Sequence, residues 1–147
     1  MTITFCGHAD FCGNSGFEEA IASILREKKP DGVFIGGYGA FDRFAYNCAK
    51  KYKKTEAPLL RIYFVTPYLD VNHKKGLSDF FECDEIIYPH IENVPQRFAI
   101  SYRNEWMVDN ADCLISFVER SFGGAYKTFK YAEKRKKEII NIAPRAI

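Results

Sequence analysis

Apolar residues along the chain fall into short, nearly continuous runs separated by stretches of helical periodicity. "TITFCG" (2–7), "DGVFIGG" (31–37), "LLRIYFVTP" (59–67), "DCLISFV" (112–118) and "EIINIA" (138–143) are too short for helices and too uniformly apolar for half-exposed strands. They predict strands buried on both faces, with "DEIIYP" (84–89) as a shorter one. Between them, "SGFEEAIASILREKK" places Phe17, Ile21, Ile24 and Leu25 at helical spacing, and Ser15 with Glu18 reads as a capping box. "FDRFAYNCAKKYKK" puts Phe41, Phe44, Ala45, Cys48, Ala49 and Tyr52 on one face. "VPQRFAISYRNEWMVDNA" predicts a helix with Pro95 in its first turn, and "GGAYKTFKYAEKRK" predicts the last helix. "YLDVNHKKGLSDFFEC" (68–83) lacks either period and reads as loop with one helical turn.

Strands separated by helices of this length require crossover connections. The expected fold is therefore α/β, Rossmann-like and doubly wound, a mostly parallel sheet with helices on both faces, in a single domain over residues 1–147. Ligands in such folds sit at the carboxyl ends of the strands, near the point where strand order reverses. Two glycine clusters, "GGYG" (36–39) and "FGGAYK" (122–127), lie where a strand hands over to a helix, so both belong on that edge. Glycine lets a phosphate approach the main chain, and the helix start behind it offers free N–H groups. A tight turn without a ligand is the plainer explanation for either cluster alone. Two clusters on one edge favour a shared ligand.

Composition narrows the classes. Hydrophobic residues at 47% and charged residues at 27% are ordinary for a globular protein. No apolar run reaches membrane-spanning length and no signal-like leader opens the chain, so the expectation is a cytoplasmic protein without a membrane partner. A net charge of +2, with "KYAEKRKK" read as the solvated face and end of a helix, argues against nucleic acid as a partner. Cys6, Cys12, Cys48, Cys83 and Cys113 form no CxxC pair, and His73 and His90 show no ligand spacing, so neither metal nor cofactor is expected.

Several residues are candidates for the edge itself. His8 follows the first strand, beside Gly7, and would hydrogen-bond a phosphate or move a proton; a plain loop histidine is the alternative. Tyr38 and Tyr126 sit inside the glycine loops, where a ring stacks on a base or packs in the core. Arg103 is either a snorkelled surface residue or a guanidinium fork for a phosphate or ribose.

"RNEWMVDNADCLISFVERSFGGAYKT" resembles the core of the SLOG superfamily, which joins the LOG nucleotide phosphoribohydrolases to the DNA-processing protein A and YpsA-like families. Arg103, Met107 and Asp112 keep that pattern's spacing, Gly123 and Gly124 stand where its paired glycines stand, and Asp42 follows the upstream turn as an acidic residue often does there. Phe122 replaces the proline before the glycines, and the loop is one residue longer. Tyr131 occupies the place of the glutamate tied to N-glycosidic cleavage, with Glu133 two positions on.

The resemblance implies a nucleotide-derived ligand of ADP-ribose or cyclic ADP-ribose type. Its phosphates would rest on Gly36, Gly37 and Gly39 and on Gly123, Gly124 and Ala125. Arg103 and Lys127 would supply charge, Ser121 and Thr128 hydroxyls, and Asp42 a ribose contact. Without the glutamate, binding without turnover is expected, as in a phage or mobile-element sponge that sequesters a signalling nucleotide. The alternatives are a LOG-like hydrolase recruiting Glu105, Glu119 or Glu133, and single-stranded DNA binding. LOG-like relatives also imply a homo-oligomer.

Overall fold

The computed structural model describes residues 1–68 and 82–145. Six strands form one sheet: β1 (Thr2–Gly7), β2 (Gly32–Ile35), β3 (Arg61–Val65), β4 (Glu85–Ile87), β5 (Cys113–Phe117) and β6 (Glu138–Asn141). Four helices alternate with them: α1 (Ser15–Lys28), α2 (Ala40–Thr55), α3 (Ala99–Asp109) and α4 (Gly124–Lys134). The strand order is β4-β3-β2-β1-β5-β6 and each pairing is parallel. The doubly wound α/β fold is as expected, with the sheet parallel throughout. The irregular stretch expected to hold one helical turn falls largely at 69–81, outside the described residues, as does His73.

Alternation along the strands feeds two apolar layers. Ile3 and Phe5, Val33 and Ile35, Ile62 and Phe64, and Cys113, Ile115 and Phe117 pack against Ile21 and Leu25 of α1 and Phe41 and Ala45 of α2. On the other face Leu114 meets Val108 of α3 and Ala132 of α4, while Phe34 and Val65 meet Met107. The inner strands β1, β2 and β5 are thus covered from both sides, which is why their apolar runs looked continuous, whereas the edge strand β4 is mostly exposed.

Two helix starts differ from expectation. Asn14, not Ser15, caps α1: its Oδ1 accepts the Phe17 N–H at 2.9 Å, and Ser15 is already helical. Asparagine outranks most residues at that position because its short side chain reaches back to the third helical N–H. After Pro95 the chain makes a single 3₁₀ turn, Gln96–Phe98, so α3 begins only at Ala99. The N–H that proline lacks costs nothing at the head of the turn, but the tighter winding delays the α-helix.

Strand order reverses between β1 and β5. Connections from β1 run toward β4, whereas β5 continues to β6 on the other side. The loops leaving the carboxyl ends of β1 and β5 therefore diverge and leave a crevice. No helix among the described residues is long and apolar enough to cross a membrane.

Candidate functional site

The crevice is a cleft of about 280 Å³ over the carboxyl ends of β1 and β5. Gly7 and His8 form its β1 side, Gly123, Gly124 and Ala125 the start of α4, and Tyr38 and Asp42 the α2 side. Ile100, Arg103 and Asn104 of α3 close it, with Thr128 and Arg120 at the α4 side.

The two glycine turns differ. In the first, Gly37 has φ of 81° and a Cβ there would lie 2.2 Å from the Phe64 ring. Gly39 has φ of 93° and its missing Cβ would meet the Ala9 Cα at 2.9 Å. The N–H of Ala40 donates to the Ala9 carbonyl at 3.0 Å, and that of Tyr38 to Asp42 Oδ2 at 2.9 Å. These glycines are needed for the protein's own packing, and the Tyr38 and Ala40 donors there are already used. Of the phosphate seat expected at Gly36, Gly37 and Gly39, only the intervening Tyr38 lines the cleft.

The second turn is open. A Cβ on Gly123 or Gly124 would meet nothing within 4 Å. Gly123 has φ of 91°, which explains its glycine, but Gly124 is helical with a φ any residue adopts. Packing does not call for a glycine at 124, yet its bare backbone faces the cleft at a helix start, where N–H groups lack intrahelical partners. Thr128 Oγ1 turns back to the Gly124 carbonyl at 3.1 Å, so that hydroxyl donates within the helix.

Arg103 is 1% exposed. Its guanidinium donates to the Gly36 carbonyl and, at 2.8 Å, to the Val65 carbonyl; Nε donates to Asn104 Oδ1. It thus ties the ends of β2 and β3 to α3, a role the sequence reading did not anticipate. Burial pushes the Asp42 carboxyl up to about 6, against the pull of Arg103 and the Tyr38 N–H.

His8 is 5% exposed, and its Nε2 accepts the Glu119 N–H at 3.0 Å. An accepting Nε2 fixes the neutral tautomer with the proton on Nδ1. Burial, and behind it the Arg120 guanidinium, holds its pKa below the ordinary imidazole value.

Other expected residues fall outside the cleft. Tyr126 packs in the layer of Val108 and Leu114, because it lies on the sheet-facing side of α4. Ser121 and Lys127 are exposed and do not line the cavity. Glu133 pairs with Lys130 at 2.8 Å on the outside of α4, and Tyr131 donates to Asp109 Oδ2 at 2.8 Å. Glu105 and Glu119 are likewise absent from the lining, where Asp42 is the only carboxylate among the described residues. No cluster of three or more His, Cys, Asp or Glu suited to a metal occurs among them.

Arg120 was missed. Its signal in the sequence was slight: an arginine three residues before a glycine pair, in a strand-to-helix loop. Its Nη1 and Nη2 donate to the two oxygens of Asp10 at 3.1 and 3.0 Å, and its guanidinium lies 5.3 Å from the Phe122 ring.

The fold matches known structures of one kind. DNA processing protein A from Helicobacter pylori, described for its single-stranded DNA binding mode, aligns with 95% of this chain at a TM-score of 0.65 and 16% identity. The same protein from Streptococcus pneumoniae aligns with 94% at a TM-score of 0.65 and 14% identity. This chain spans 63% and 48% of their lengths. No family model and no curated protein matches the sequence. The expectation against nucleic acid, drawn from modest net charge, is corrected by this likeness: a protein of the same fold binds single-stranded DNA. Overall charge misled because a phosphate site depends on a few placed donors, which a sum over the chain does not register.

Proposed function

We propose that the chain is a SLOG-type domain that binds single-stranded DNA, seating a backbone phosphate in the cleft at the start of α4. The observation that carries this reading is the alignment of nearly the whole chain with a single-stranded DNA-binding protein, with the cleft at its switch point. The open backbone at Gly124 supplies N–H donors, and the exposed rings of Tyr38 and Phe122 beside the cleft supply surfaces on which bases stack.

A second reading, a free nucleotide of ADP-ribose type, draws on the cleft's size, which suits one small ligand more than a strand. One titration separates the two. Fluorescence anisotropy with a labelled single-stranded oligothymidylate should show saturable binding, weakening as salt rises. An excess of ADP-ribose should leave that binding nearly intact, and duplex DNA of equal length should compete poorly. No binding of the oligonucleotide, with calorimetric binding of ADP-ribose, would replace the first reading by the second.

A further inference from the structure

The cleft is lined by two arginines in contrasting states. Arg103 is enclosed, with Nη1 fixed on two carbonyls and Nε on Asn104. Among the described residues Arg120 hydrogen-bonds to Asp10 alone, through two parallel hydrogen bonds between side chains that are 38% and 70% exposed. That pair bridges the loop after β1 and the loop after β5, the two loops that diverge at the switch point. Arg120 Nε is enclosed and has no partner among the described residues. Next to it, His8 is nearly buried, with Nε2 taken by Glu119 and Nδ1 without a hydrogen bond among the described residues.

A two-pronged carboxylate on a guanidinium reproduces the geometry of a phosphate on a guanidinium. An exposed ion pair is also weak, so a better anion displaces its carboxylate at small cost. On the reading that the cleft takes a nucleic-acid phosphate, we propose that Arg120 is the residue that grips that phosphate, and that Asp10 occupies the grip while the cleft is empty. The incoming phosphate takes Nη1 and Nη2 from Asp10 and meets the α4 N-terminus from the same side. The neutral His8 supplies one further donor, Nδ1–H. Phe122 supports the guanidinium plane throughout the exchange.

A merely structural ion pair predicts that removing either partner acts in one direction. Exchange predicts opposite signs. With the labelled oligothymidylate, Asp10→Asn should tighten binding by roughly two- to five-fold, the worth of an exposed pair. Arg120→Gln should weaken it at least about ten-fold, as for a lost charge-assisted hydrogen bond. In an Arg120→Gln background, Asp10→Asn should shift binding much less than in the parent, because nothing remains to be released. Weaker or unchanged binding in Asp10→Asn would overturn the proposal while leaving DNA binding itself established. Equal shifts in both backgrounds would overturn it too, reducing Asp10 to a distant negative charge. Both side chains are surface groups, and a thermal melt of each variant confirms that the fold persists.

Discussion

Gly37 and Gly124 look alike in the sequence, each the second of a pair before a helix, but they answer to different causes. Gly37 is set by a positive φ and by Phe64, which comes from a strand 27 positions later in the chain (64 − 37). Gly124 is set by neither. Gly37→Ala should therefore lower stability by about 1–3 kcal/mol or more, the scale of a strained backbone plus a steric conflict. Gly124→Ala should leave unfolding by denaturant unchanged or slightly stabilised, since alanine is the better helix former. The same variant should bind the oligothymidylate more weakly, because its methyl group enters the cleft. Normal binding in Gly124→Ala would remove the open helix start from the site. The glycines themselves were legible in the sequence. Which pair left space was not, because Phe64 is brought to Gly37, and Ala9 to Gly39, only by the folded sheet.

At the scale of elements, periodicity located the strands and helices because two-sided burial leaves a strong mark on composition. Their ends were less legible, since caps depend on one or two hydrogen bonds. Ser15 and Glu18 matched a capping pattern, yet the oxygen that reaches Phe17 N–H belongs to Asn14. Asn14→Ala should cost about 1 kcal/mol of stability, typical of a lost cap, whereas Ser15→Ala should cost almost nothing. Chemical denaturation of the two variants measures the difference, and the reverse ranking would move the start of α1. Strand order was not readable at all. Only after β5 pairs with β1 do Arg120 and Asp10, 110 residues apart, become neighbours.

For the molecule as a whole, Asp42 and Arg103 link cleft geometry to stability. Burial raises the Asp42 carboxyl to about 6, above the ordinary 3.8, so the folded chain holds a proton there that the unfolded chain has released. Stability from this group is full below about pH 4 and declines as pH rises to about 6. The salt-bridged carboxylates Asp10, Asp31 and Asp84 are shifted down and act in the opposite direction. The informative quantity is therefore the difference between parent and Asp42→Asn. That difference should grow in favour of the variant between pH 4 and 6, reaching on the order of 1–3 kcal/mol in urea unfolding. A difference that stays flat with pH would mean that Asp42 titrates normally.

The position of β1 in the centre of the sheet has a consequence for how the protein is made. Its partner on one side, β2, begins 30 residues on at Gly32, paired with Thr2, but its other partner runs from Cys113, paired with Ile3. During synthesis β1 is made well before β5, and one of its edges stays bare until β5 has followed. Such distant pairing slows folding and leaves an unpaired apolar edge exposed meanwhile. The cleft, lined by both β1 and the start of α4, is complete only once α4 has been made.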